Sequence, residues 1–449
     1  MTSGPLFSQM LLFALPIMAM NVLQLLFNAA DMVVVGRFSG SQSLAAVGAT
    51  GSLISLMVNL FMGLSVGTSV VVARDYGAHD AEGIRRSVHT SIGISMIAGL
   101  IVTALGLTFC QPLLRWMGTP SDIIDLSARY MRIYFLGMPA SMIYNFGAAI
   151  LRATGDSKRP MYFLSVSGAV NVVFNLLFVI TFGMGVAGVA WATVISQYLS
   201  LVLIMTSLMR NTGPLRFSLD RFKIDKDKLK EITRIGLPAG LQSSLFSISN
   251  VLIQSAVNSF GSTMVAASAA AGNVESFLGT TMNAYYNAAI TFTGQNMGAK
   301  EYDRIDTIAQ VSAVFIFATW IILGGLILFF GRSLLAIYTS NPEVVDLGMM
   351  RMKIMMAAYF TCGFMSVFPG LSRAMGFSVL PMLCTLVGNC LMRIVWLATI
   401  FKWYPTIFVL FLCYPVSWAI AGAGQVATFF YARSKVRAQI PVDAPEQAA

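Results

Sequence analysis

Three ionisable side chains, Asp31, Glu275 and Arg393, lie inside long apolar runs of this 449-residue chain. A charge buried in an apolar span is costly, so such a group defaults to a functional role or a buried pair. Asp31 can serve two kinds of chemistry. Its oxygens can ligate a cation, and because desolvation favours its neutral form it can also take up and release a proton. At 1.5 Å per residue, Asp31 lies ~7 Å, Asn175 ~9 Å and Thr193 ~10 Å below the face assigned below as outer, with Asn171 one turn beneath Asn175. A carboxylate, two amides and a hydroxyl at neighbouring depths can offer oxygens to a small hard cation such as Na+. Glu275 and Arg393 fall at ~14 Å and ~12 Å on the same count. Opposite charges at one depth predict an ion pair, either structural or part of a substrate site. Gln242, Asn250, Gln254, Asn258, Asn273, Asn283 and Asn287 could line a polar chamber wall or bond between helices.

Other chemistries lack their residues. There is no HExxH, GxSxG, Walker or strand-to-helix GxGxxG arrangement, and the only histidines are His79 and His89. This argues against an ATP-driven pump and an embedded hydrolase. No catalytic residues are assigned, no cofactor is expected, and no metal is expected beyond possible Na+ at Asp31, Asn171, Asn175 and Thr193. The five cysteines, Cys110, Cys362, Cys384, Cys390 and Cys413, show no CxxC spacing and read as packing residues.

The elements that must position these groups are membrane helices. The chain is 57% hydrophobic and 11% charged, against roughly 25% charged in a soluble domain. Apolar runs of spanning length fall near 9–35, 44–72, 88–110, 127–151, 160–181, 187–208, 233–258, 266–293, 308–330, 348–372, 379–401 and 406–431. The first lacks a basic leader and continues to Val35, so it reads as a span rather than a signal. The fold class is an all-α membrane protein of twelve transmembrane helices. Alternate loops 73–87, 152–159, 209–234, 294–307 and 373–378 with the C-terminal tail hold 20 of the 29 Lys and Arg. That bias places them, and both termini, in the cytoplasm, and explains the net charge of +10 without nucleic acid. Only Arg393 is assigned to a span interior; Arg351 and Lys353 are counted with the outer loops and the helix ends beside them.

Arg210 to Arg234 carries twelve charges and divides the spans six and six. The expected domains are 1–208, a cytoplasmic linker 209–232, 233–432 and a tail 433–449. The halves repeat at an offset of 221–222, pairing Pro16 with Pro238, Asn28 with Asn250, Gly77-Ala78 with Gly298-Ala299, Arg129 with Arg351, and Arg152-Ala153 with Arg373-Ala374. Six helices per repeat give both halves the same insertion sense, hence two lobes related by a pseudo-two-fold axis along the membrane normal, a transporter architecture.

ADMVVVGRFSG, SLAAVGATG, YGAHDAEGIRR and LRATGD followed by RPM, with the echoes GQNMGAKEYDRI and SRAMG followed by LPM, resemble the multidrug and toxic compound extrusion (MATE) family over the whole chain. The resemblance implies a V-shaped chamber between two six-helix lobes, and efflux of amphiphilic, often cationic compounds driven by inward H+ or Na+. It places a first-lobe cation site where Asp31, Asn171 and Thr193 match; Asn175 stands where a second acid is expected, which favours proton over Na+ coupling. A lipid or lipid-linked sugar flippase of the same superfamily is the alternative. Expected partners are a small organic substrate and the bilayer, with no nucleic acid; the expected state is a monomer in the cell (inner) membrane.

Overall fold

The computed structural model describes residues 1–438, and among them every regular element is helical. The first repeat holds α1 (Leu6–Phe38), α2 (Ser41–Gly77), α3 (Ala81–Trp116), the pair α4 (Ile124–Leu136) and α5 (Met138–Ala153), α6 (Lys158–Leu176) with a π turn at Leu177–Thr181, and α7 (Val186–Met209). The second holds α8 (Lys226–Asn258), α9 (Ser262–Gly298), and α10 (Arg304–Thr319) joined through a π turn at Trp320–Gly324 to α11 (Gly325–Ala336). The pair α12 (Pro342–Ala357) and α13 (Tyr359–Ala374) follows. Next, α14 (Val379–Thr385) runs through a π turn at Leu386–Leu391 into α15 (Met392–Ala398) and α16 (Ile400–Trp403), and α17 (Ile407–Ala438) closes the series.

Counting each bent pair and each π-jointed helix as one rod gives twelve rods, six per repeat. Ten are long and apolar enough to cross a membrane. The other two, α8 and α9, have the length, but the amides and Glu275 lower their hydropathy. The repeat extends to the backbone. Left-handed residues pair at one spacing: Gly40 with Gly261, His79 with Lys300, and Gly155 with Gly376. At Gly155 and Gly376, φ of 99° and 98° would strain any L side chain, which is why both loops keep glycine. The fourth rod of each repeat breaks at corresponding positions, by 49° before Met138 and by 56° before Tyr359.

The chain divides into two units, one of Leu11–Ser244 and one of Met1–Met10 with Leu245 onward. The boundary between these two units falls inside α8. The linker 209–232 is docked on the first unit. Asp225 caps α8 by accepting from the Lys228 N–H at 3.0 Å and meets Arg86 at 3.2 Å. The backbone N–H of Lys228, with Arg86 beside it, holds its carboxyl below the usual range. Lys228 reaches Asp75 at 2.7 Å, Arg74 reaches Glu231 at 3.5 Å, and His89 bonds Ser218 and stacks on Phe217. Of the expected tail, 433–438 continue α17, where Arg433 pairs with Asp306; the remainder lies outside the described residues.

In the first unit α2 crosses α8 backbone to backbone. A Cβ on Gly63, Gly67, Gly236 or Gly240 would collide with main-chain atoms of the opposite helix. Close approach of small residues is how helices associate where lipid offers no hydrophobic drive. Gly63→Ala is expected to destabilise by about 1–3 kcal/mol through overpacking. Gly51→Ala, on the same helix with nothing within 4 Å, should be tolerated. Thermal unfolding of the two purified variants checks the contrast.

Candidate functional site

The first unit brings Asp31, Asn171, Asn175 and Thr193 together. Gly168 lets α6 meet α1 closely: a Cβ there would strike the Phe27 ring. Asp31 lies one turn beyond Phe27, and Asn171 and Asn175 lie one and two turns beyond Gly168, so this contact sets the two helices in register. Asn175 donates through Nδ2 to Asp31 Oδ1 and also to Asn171 Oδ1 at 3.2 Å. Asn171 donates to Thr193 Oγ1 at 3.4 Å, and Thr193 donates to Val189 O at 3.0 Å. The chain runs from carboxylate to amide, amide and hydroxyl across α1, α6 and α7. Asn175 is 1% exposed and its Oδ1 is buried without a partner, whereas Asp31 is half-buried.

An apolar cluster sits one turn further outward on every helix involved. Val34 and Val35 follow Asp31, Val179 follows Asn175, and Val189 and Ala190 precede Thr193; these pack with Ala46, Val47, Ile123 and Tyr130. Two residues that sequence reasoning missed, Tyr130 and Tyr134, lie within electrostatic reach of Asp31. Asn175 also lies two residues before the π turn at Leu177–Thr181, a helix irregularity frequent at functional sites.

The register contact makes a prediction. Gly168→Ala should push Phe27 aside, draw α1 from α6 and reduce transport. Adding Phe27→Leu, which frees the space, should restore it. Efflux assays on the single and double variants decide, and a double variant as poor as the single removes the register role.

In the second unit the expected partner of Glu275 is corrected. Glu275 does not pair with Arg393. It forms a two-pronged bridge to Arg351, Nε to Oε1 at 3.1 Å and Nη2 to Oε2 at 2.9 Å, while Arg351 Nη1 donates to Ser268. Arg351 is 9% exposed within α12, so it belongs with the buried span charges and not with the outer loops and helix ends where it was counted. The signal was present in the sequence: Arg351 falls within the apolar run 348–372. Lys353, two residues on, occupies the opposite face of α12 and is exposed. The repeat mate of Arg351, Arg129, is exposed as well.

Arg393 is 0% exposed and follows the π turn Leu386–Leu391. Its Nε donates to Ser417 at 3.1 Å, and Nη1 to Ser249 at 3.1 Å and Asn250 at 2.7 Å. Its guanidinium lies 4.6 Å from the Tyr414 ring, and that of Arg351 lies 5.7 Å from the same ring. Of the expected chamber amides, Gln254 donates to Asn258, and Asn287 donates to Asn283, along single helices. Asn250 accepts from the charged Arg393.

Comparison with known proteins bears on this arrangement. The chain matches the family model MatE twice, over residues 16–177 and 238–399. It is 33% identical over 379 residues to Probable multidrug resistance protein YoeA of Bacillus subtilis, covering 82% of this chain and 81% of that protein. It is 24% identical to a protein of Shewanella oneidensis described as an FAD transporter, covering 82% of each chain. A solved MOP superfamily transporter from Pyrococcus furiosus Vc1 superposes with a TM-score of 0.88 at 24% identity, over 97% of each chain.

Proposed function

The chain belongs to the multidrug and toxic compound extrusion (MATE) family, and from that premise we propose that it is a secondary active exporter of amphiphilic, cationic organic compounds, coupled to inward proton movement through Asp31. The observation that carries this reading is the Asp31, Asn175, Asn171 and Thr193 chain. An exporter driven by ion entry needs a group whose ligation differs between its two conformations, because a ligand shifts an equilibrium only through differential affinity. Asp31 is the carboxylate inside the first repeat's spans that can supply it.

Asn175 faces Asp31 with an N–H donor. This suits a carboxylate that alternately loses and gains a proton, and it leaves one acid fewer for holding Na+. The multidrug names borne by relatives such as YoeA support drug-like cargo. A lipid or lipid-linked sugar flippase would need several free cations in the spans; Arg351 adds one that Glu275 cancels.

Drug accumulation in proteoliposomes tests the reading under separately imposed pH and Na+ gradients. A pH gradient alone should drive transport. Transport by Na+ alone would assign the other ion, and movement of a labelled lipid in place of drug would favour the flippase.

The charge partition among loops supports a multi-pass protein of the cell membrane with both termini cytoplasmic. In a cysteine-free background, an impermeant thiol reagent added to intact cells should label Ser262→Cys and miss Asp220→Cys, both exposed positions. The reverse pattern overturns the orientation.

A further inference from the structure

The second unit holds an unbalanced charge. Glu275 and Arg351 neutralise each other through two bonds, and Ser268 takes the remaining nitrogen of Arg351. Arg393 has no such partner. Its three hydrogen bonds go to the neutral oxygens of Ser417, Ser249 and Asn250, and its Nη2 is buried with nothing to donate to. A guanidinium does not shed its proton in a protein, so the charge remains. The rings of Tyr414 and Phe246, at 4.6 Å and 5.8 Å, face the cation. Cation–π contacts recover only part of what burying an unpaired ion costs.

A second unsatisfied donor borders the same ring. Trp418 packs on Tyr414 with centroids 5.8 Å apart, and its Nε1–H is buried without an acceptor. Arg and Trp side chains donate and never accept. Two stranded donors beside one uncompensated positive charge call for a group that accepts and is negative. Around Arg393, which is itself 0% exposed, Phe246, Asn250, Glu275 and Tyr414 are half-buried.

We propose that Arg393, with Tyr414 and Trp418 beside it, forms a binding site for a monoanion, either the carboxylate of an organic compound or a halide. Repeat position reinforces the asymmetry: Val172 stands where Arg393 would recur in the first unit, and Ile253 where Asp31 would recur in the second. One unit carries a carboxylate among amides, and the other a guanidinium bonded only to neutral oxygens. The site stands whether or not the first unit couples protons.

Thermal unfolding of the purified full chain, at constant ionic strength in gluconate, tests this with three probes: 2-naphthoate, its uncharged analogue 2-naphthamide, and bromide. Stabilisation by naphthoate beyond that by naphthamide identifies the organic carboxylate, and stabilisation by bromide identifies the halide. Either must weaken at least about tenfold in half-maximal concentration in Arg393→Met, since a charge-assisted bond to an ion contributes about 1.5–3 kcal/mol. Should Arg393→Met fold poorly, Trp fluorescence supplies a second readout: anion-dependent quenching present in the wild type should be lost in Trp418→Phe. Equal effects of naphthoate and naphthamide with none from bromide would overturn the site. So would an anion response that survives Arg393→Met, or quenching unaltered by Trp418→Phe.

Discussion

Replacing Asp31 by Asn is expected to reduce gradient-driven efflux to the level of empty liposomes, with expression and substrate binding close to wild type. The substitution keeps the size of the side chain and its ability to accept from Asn175 Nδ2. It removes only the exchangeable proton and the negative charge. The apolar cluster of Val34, Val35, Val179, Val189 and Ala190 is untouched, so a loss of function cannot be assigned to lost packing. Asn175→Asp tests the same logic in the opposite direction. It returns a second acid to a position that is 1% exposed, and two carboxylates sharing a site oppose each other's ionisation unless a cation lies between them. Transport by this variant should become more dependent on Na+. Wild-type efflux by Asp31→Asn under an imposed proton gradient would remove the coupling role from the first unit altogether.

The first-unit site was legible because its parts declare themselves locally. Asp31, Asn171, Asn175 and Thr193 stand out as polar groups in apolar runs, and helical rise alone gives their depths. Their convergence rests on Gly168, whose lack of a side chain carries no chemical signal. The Arg393 environment was half legible. Depth identified the residue but misassigned its partner, because depth says nothing of azimuth: Glu275 and Arg393 share a level, yet the face of α9 that carries Glu275 and Ser268 meets α12, where Arg351 waits. Arg351 itself was lost to a boundary error of a few residues at the start of the run 348–372. The docking of 209–232 was hidden for another reason. A charged stretch looks the same in sequence whether water or Asp75, Arg86 and His89 receive it.

The corrected pairing leads to an ordered set of stabilities. Glu275→Gln should be the most damaging single change in the second unit, because it leaves Arg351 and Arg393 as two uncompensated cations flanking Tyr414. Breaking a buried pair from one side costs about 3–5 kcal/mol. Arg351→Met should cost less, since the stranded Glu275 can bind a proton and an arginine cannot release one. Combining Glu275→Gln with Arg351→Met removes both charges of the bridge and should recover most of the stability, as replacing a whole buried pair often does. Melting temperatures of the three purified variants read out the order. A double variant no better than Glu275→Gln would show that the bridge is not what balances this cluster. Equal losses in the two singles would show that the charge of Arg393 does not act on the Glu275–Arg351 bridge. If the order holds, Arg393 is the one charge in the cluster that no protein group neutralises, which is the condition its proposed anion would meet.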